Sequence, residues 1–112
     1  MSLWADYIKE HRNDDIVELD GGFAVYRFVD DNGVKSIYIV DLYVKPRFRY
    51  GRLAKIIANQ VVKIGKSEGC TRLLSSVAPH SNNSTYSLKV ALSYGMELYN
   101  CIDNMIVFKK EI

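Results

Sequence analysis

Apolar and polar positions change period along this chain, and each change marks an element. Over Leu3–His11, the residues Trp4, Tyr7, Ile8 and His11 recur at helical spacing and predict a helix with one apolar stripe. Strand-like runs follow. Ile16–Leu19, Phe23–Val29 and Lys35–Val44 are rich in β-branched and aromatic residues and predict three strands. Asp20-Gly21-Gly22 turns the chain between the first two. Asp31-Asn32-Gly33 marks a tight hairpin before the third, because Asn-Gly tolerates positive φ. Pro46 has no N–H for a ladder and helps end that strand.

The period then lengthens. Leu53, Ile56, Ile57, Gln60, Val61 and Ile64 follow helical spacing, with Lys55, Asn59, Lys63 and Lys66 on the other side. This predicts an amphipathic helix closed near Gly69. Arg72–Ala78 reads as a strand, and residues 79–83 as a loop rich in N-cap candidates. A second helix is predicted over Ser84–Tyr94, stopped by Gly95. Glu97–Asn100 and Asn104–Lys110 are the final strands, joined through Cys101-Ile102-Asp103. The order is α-β-β-β-α-β-α-β-β. A strand–helix–strand unit inside a meander implies an α/β class of the α+β mixed-sheet kind, with helices on its faces.

A length of 112 residues suits one core, so residues 1–112 are expected to form a single domain. The chain is 48% apolar and 25% charged, which excludes a disordered or low-complexity class. A net charge of +2 is too small to argue for nucleic acid. No apolar run is long enough for a membrane span, and the N-terminus lacks a signal-peptide layout. Cys70 and Cys101 do not have metal-site spacing, and no metal is expected. One disulfide stays open, but a reducing, cytoplasmic location is the simpler reading.

The chemistry concentrates in the run Asp41-Leu42-Tyr43-Val44-Lys45-Pro46-Arg47-Phe48-Arg49-Tyr50-Gly51-Arg52-Leu53-Ala54. A strand passes through a basic turn straight into a long helix, expected to begin near Tyr50. The first N–H groups of a helix have no intrahelical partner and lie at the positive end of its dipole. Such a junction is a natural diphosphate cradle. Gly51 is expected to allow the tight turn and close approach of an anion. Arg47, Arg49 and Arg52 add charge-assisted donors. Solubility and capping alone also account for Gly and Arg in a turn of this kind.

This stretch resembles the acetyl-CoA motif of the GCN5-related N-acetyltransferases (GNAT), Q/R-x-x-G-x-G/A after a strand often ending L-Y-V-x-P. Arg49 takes the first position and Ala54 the last, while Arg52 stands in place of the central glycine. The resemblance extends in element order over nearly the whole chain. Ser67-Glu68-Gly69-Cys70-Thr71-Arg72-Leu73 resembles the family's helix end and next strand, and Tyr94-Gly95-Met96 its last helix close. It implies a GNAT-like acyl-CoA N-acyltransferase fold in which two parallel strands splay apart around the pantetheine arm. The splay would lie between the strand ending at Val44 and the strand ending at Ala78. It further implies backbone contacts from Leu42, Tyr43 and Val44, a diphosphate held by Arg49, Tyr50, Gly51, Arg52, Leu53 and Ala54, and a contact from Asn83, which serves equally as a helix cap.

The resemblance implies transfer of acetyl from acetyl-CoA to a primary amine. The family's strand positions for a catalytic Glu hold Tyr38 and Val40 here, and its Tyr position holds Ala91. Asp41 and His80 are the candidate bases, and Tyr86 the candidate acid, with Tyr94 as an alternative. Each also has a structural reading: a carboxylate bonded to backbone, a solvated loop histidine, rings packed on the sheet. An alternative activity is a non-catalytic acetyl-CoA-binding or assembly module of the same fold. A homodimer through the final strands is a further option that the resemblance implies. A third reading, phosphate contacts to nucleic acid through the basic turn, fits poorly with the near-balanced charge.

Overall fold

The structure, a computed structural model, describes residues 14–80 and 84–112. The helix predicted over Leu3–His11 and the contact assigned to Asn83 lie outside these residues.

Strands β1 (Asp15–Leu19), β2 (Gly22–Asp31) and β3 (Val34–Val44) form an antiparallel meander. Asn32 and Gly33 alone make the second turn, with φ of 53° and 89°, so β2 and β3 run closer to each other's ends than the residue pattern predicts. A short 3-10 turn at Pro46–Phe48 leads to helix α1 (Leu53–Ser67). Then come β4 (Arg72–Val77), helix α2 (Ser84–Ser93), β5 (Glu97–Ile102) and β6 (Met105–Glu111). Among the described residues the strands form one six-stranded sheet, ordered β1-β2-β3-β4-β6-β5. β3 and β4 are parallel, and every other neighbouring pair is antiparallel. The final hairpin turns at Asp103 and Asn104, with φ of 52° and 64°, so β5 extends through Ile102, beyond the predicted end at Asn100.

Both helices stop in the same way. Gly69 and Gly95 adopt φ of +86° and +85° just past the helix ends. Cys70 N–H then donates back to Gly65 C=O at 2.8 Å, and Met96 N–H to Ala91 C=O at 3.1 Å. This cap satisfies the last carbonyls and turns Cys70 and Met96 into the core. The two helices share one sheet face. Ala54, Ile57 and Val61 of α1 and Ala91 of α2 join Ala24, Tyr26, Ile37, Ile39, Val44, Leu73, Val77 and Phe108 in one buried cluster. Ile37, Ile57, Leu73 and Val61 are each 0% exposed, so the centre of this cluster, where α1 packs on β2 and β3, is fully sealed from water. On the opposite face Ile16 and Val25 form a smaller cluster with Phe23 and Val40. There Arg27 donates through Nε and Nη2 to both carboxylate oxygens of Asp14, at 2.7 and 3.1 Å, and the Asp14 side chain is 1% exposed. Cys70 is buried, and Cys101 is exposed on the edge strand β5.

Candidate functional site

The site starts from a break in one strand pair. β3 and β4 pair from Ser36↔Arg72 to Ile39↔Ser75 and no further, although β3 continues to Val44 and β4 to Val77. The ladder between β2 and β3 is irregular at the same level: Ile39 lies opposite Tyr26 and Asp41 opposite Val25, leaving Val40 as an extra residue. Such a bulge bends the strand that carries it. Beyond it, Leu42 and Val44 join the helix-side core, and Val40 joins the opposite cluster.

The direction of the backbone follows from one hydrogen bond. Lys45 N–H donates to Gly21 C=O at 2.8 Å, so the opposed residues Val44 and Gly22 exchange no bonds with each other. The N–H and C=O of Val44 therefore point away from β2, into the gap toward β4. By alternation those of Leu42 point the same way. Arg49 Nε donates to the Val44 carbonyl at 2.9 Å. Its guanidinium lies 5.7 Å from the Tyr43 ring centroid and 5.5 Å from that of Tyr86, so it joins the end of β3 to α2.

A cleft of about 650 Å3, counting its open mouth, fills the gap. β3 lines it with Ile39 through Leu42, β4 with Ser75, Ser76 and Val77, and α2 with Tyr86 and Val90, followed by Tyr94 just past its end. A second depression, bounded by Tyr50, Gly51, Lys55 and Lys89, shares Tyr86, Val90 and Tyr94 with the first. The two therefore adjoin along α2, one beside the parted strands and the other beside the start of α1.

The turn differs from its sequence reading in two ways. The helix begins at Leu53 with Arg52 as N-cap, not near Tyr50, because the 3-10 turn and the residues after it intervene. The positive φ falls on Tyr50, at 65°, and not on Gly51. The Tyr50 ring meets Tyr86 edge-on at 5.5 Å, a contact that helps hold this uncommon backbone state. A Cβ on Gly51 would meet only the Phe48 carbonyl oxygen, at 3.5 Å, so Gly51 leaves open space rather than making the turn. The Arg52 side chain makes no cap bond, and no acidic residue stands in the first turn of α1. The positive end of the helix is thus not neutralised from within. The Arg47 guanidinium lies 4.9 Å from the Phe48 ring centroid.

The other candidates separate. Asp41 lines the cleft, but its partner Val25 belongs to the sheet face opposite the helices. Tyr86 lines both depressions, and burial pushes its phenol up, against the opposing pull of Arg49. Burial likewise raises Tyr94, whose hydroxyl donates to Asn59 Oδ1 at 2.6 Å and ties α2 to α1. Both phenols keep their protons at neutral pH. His80 is exposed and is not among the residues that line the cleft. One contact escaped the residue pattern: the Tyr38 and Ser76 hydroxyls meet at 2.5 Å across β3 and β4, on the face away from the helices.

The model of the Acetyltransferase (GNAT) family matches residues 4–89. The chain belongs to the GNAT acetyltransferase family. Among solved structures, this GNAT chain resembles the PaiA N-acetyltransferase of Thermoplasma acidophilum in complex with coenzyme A, at TM-score 0.71 and 17% identity over 94% of this chain and 66% of that one. It resembles Arabidopsis thaliana Naa50 in complex with the bisubstrate analogue CoA-Ac-MVNAL, at TM-score 0.64 and 19% identity over 82% of this chain and 66% of that one. It also resembles a Bacillus subtilis acetyltransferase in complex with CoA, at TM-score 0.69 and 14% identity over 96% and 83%. The chain thus spans just under two thirds of the length of the first two. At these identities the likeness shows the fold: a mixed sheet with helices packed on it, as the resemblance implied. No match was found among curated protein sequences. Among the described residues no helix is long and apolar enough to cross a membrane, and no group of His, Cys, Asp and Glu is arranged to hold a metal.

Proposed function

We propose that this GNAT chain is an acetyl-CoA-dependent N-acetyltransferase acting on a primary amine. The observation that carries the reading is the parting of β3 from β4 beyond Ile39 and Ser75, with the Leu42 and Val44 N–H groups directed into the gap. An acyl-CoA is a long, amide-bearing thioester with a diphosphate at its far end. Leu42, Tyr43 and Val44 answer the amides as a strand answers a strand. Tyr50, Gly51, Arg52, Leu53 and Ala54 form the start of α1 and answer the diphosphate with free N–H groups and open space. Arg49 braces the wall between them through Val44. Similar structures that hold CoA or a CoA-linked peptide support the same reading.

The reaction needs a neutral amine, a polarised thioester carbonyl and a proton for the leaving sulfur. A backbone N–H on the parted strand near Val44 polarises the carbonyl. Tyr86 borders both depressions and holds its proton at neutral pH, so it is available as an acid. Asp41 is the carboxylate nearest the parted strands and the candidate base. Free Cys70 and Cys101 suit a reducing compartment, in keeping with a cytoplasmic location.

Thermal-shift titration with acetyl-CoA tests this. A ligand at about 100 times its Kd stabilises by about 2.7 kcal/mol, a rise of roughly 10 °C for a domain of this size. Gly51→Asp puts a carboxylate where the helix dipole welcomes it and where a diphosphate would be repelled. The variant is expected to stay folded and lose the shift. No shift in the unaltered protein at millimolar acetyl-CoA would sink the proposal.

A second reading, a non-catalytic acetyl-CoA-binding module, rests on one observation: Asp41 is the single carboxylate among the described residues that line the cleft. A full thermal shift without acetyl transfer to any amine in a broad panel would select it.

A further inference from the structure

The cleft does not end where β3 and β4 part. The last pair is Ile39↔Ser75, yet Leu73, two residues earlier on β4 and paired with Ile37, still lines it. The helices give the same direction. Ala54 borders the outer depression at the start of α1, and Ala58, one turn further along the same face, borders the cleft. On α2, Lys89 and Ser93 line only the outer depression, whereas Ser87 and Ala91 line only the cleft. The cleft therefore has an inner end on the helix side of the sheet, set by Ala58, Leu73, Ala91 and Met96.

The chemistry of that end is apolar throughout. All four residues are buried, and none is polar. The hydroxyls beside them are engaged: Ser75 Oγ donates to Met96 Sδ at 3.2 Å, and Tyr94 Oη to Asn59 Oδ1 at 2.6 Å. Asp41 is the single charged residue among the described residues that line the cleft, and it stands two residues past Ile39, beyond the last strand pair. An alanine on each helix leaves room that a larger side chain would close. Met96 is unbranched and turns about several bonds, so it moves aside easily for a guest.

We infer that this inner end is an acyl pocket, and that the preferred donor carries an uncharged, unbranched acyl chain longer than acetyl, such as butyryl. The inference rests on the acyl-CoA reading above and names its donor class. On that reading the diphosphate lies at the start of α1 and the amides along Leu42–Val44. The acyl group is the opposite end of the donor, so it points away from that start, toward Leu73. Acetyl leaves the inner end empty. Each further methylene leaves water for an apolar wall, which is favourable in proportion to the area buried. A chain ending in a carboxylate would lose its hydration and meet no cation among the described residues there. The transfer itself is unchanged. The amine nitrogen bonds the acyl carbon, the C–S bond breaks with its electron pair on sulfur, and the proton lost by the amine ends on the released thiol.

The test titrates the whole chain with the CoA thioesters of acetate, butyrate, hexanoate and succinate and reads Kd by calorimetry. Kd is expected to fall about fourfold for each methylene added from acetyl to butyryl. Succinyl-CoA, equal to butyryl-CoA in acyl carbons but acidic, is expected to bind no better than acetyl-CoA. Ala91→Leu fills the inner end and should bring the butyryl-to-acetyl ratio of Kd close to one. Met96→Leu conserves volume, and so the fold, but stiffens the floor. It should reduce the gain for hexanoyl more than the gain for butyryl. In the unaltered protein, a Kd that stays level or rises from acetyl to butyryl would overturn the acyl pocket and leave the acetyl-CoA reading standing. A butyryl gain that survives in folded Ala91→Leu, or an equal gain with succinyl, would also overturn the pocket alone. No binding of any of the four thioesters would overturn the acyl-CoA reading and the pocket with it.

Discussion

Strand β3 is two strands in one. From Ser36 to Ile39 it is paired on both sides, to β2 and to β4, and Ser36 and Ile37 are 0% exposed. From Val40 to Val44 it keeps β2 and loses β4, and Asp41 and Tyr43 are exposed. The same backbone thus serves as core in one half and as an open edge in the other. An open edge inside a sheet is normally a liability, because its unpaired N–H and C=O groups invite any strand. Here part of that liability is covered: Arg49 takes the Val44 carbonyl. The remaining groups face a cleft rather than a neighbouring molecule. The lesson is that a binding edge can be made by withholding a partner from half of a well-anchored strand.

The largest expected difference between the halves is in amide hydrogen exchange. The Leu42 and Val44 amides face the gap, whereas the Ile37 and Ile39 amides open only with the core. Exchange at Leu42 and Val44 should be faster by about a thousandfold or more, and saturating acetyl-CoA should slow it. Equal protection in the ligand-free protein would mean the halves do not differ. Next in size is packing. Ile37→Ala in the paired half should cost about 2–5 kcal/mol by urea denaturation, the range for a fully buried aliphatic side chain. The half-buried Leu42 should cost less on the same substitution. Arg49→Ala should cost about 1–2 kcal/mol, through the lost bond to Val44 and the lost ring contacts. It should also raise the acetyl-CoA concentration needed for half the thermal shift. A cost confined to stability would make Arg49 a brace alone.

The smallest effect at neutral pH concerns Tyr26, opposite Ile39 where the two halves meet. Burial, and then Asp15, push its phenol up to about 12 from 10.0. The folded state therefore holds this proton more tightly than the unfolded chain does. The contribution is fully present below pH 10 and is lost as pH rises from about 10 to 12. Tyr26→Phe should flatten that alkaline limb of stability. An unchanged slope would remove Tyr26 from the account.

Much of this was legible in the residues, and the reasons differ by element. Asn32-Gly33 turned where predicted because the local φ preference and the hairpin agree. The helix over Leu53–Ser67 followed its period because one face meets the core. The basic turn was less legible. Gly51 drew the expectation of an unusual backbone, yet Tyr50 adopts it, helped by a ring 36 residues away in sequence that no local pattern reveals. The extra residue at Val40 left no local signal, since a bulge is a property of two strands. By the resemblance, Tyr38 stands in the family's Glu position. Its bond to Ser76 depends on the register of β3 against β4, which periodicity does not encode.

The two cysteines make this chain its own reporter. Cys101 lies exposed on β5 and Cys70 is buried at the end of α1, with burial raising its thiol. Reactivity follows exposure and thiolate fraction, so the folded protein should consume one equivalent of maleimide quickly and the second only when α1 lets go of the sheet. A dye on Cys101 would sit at the far edge of the sheet from β3 and leave the cleft free. The slow second labelling would then be a clock for core opening, read from unmutated protein.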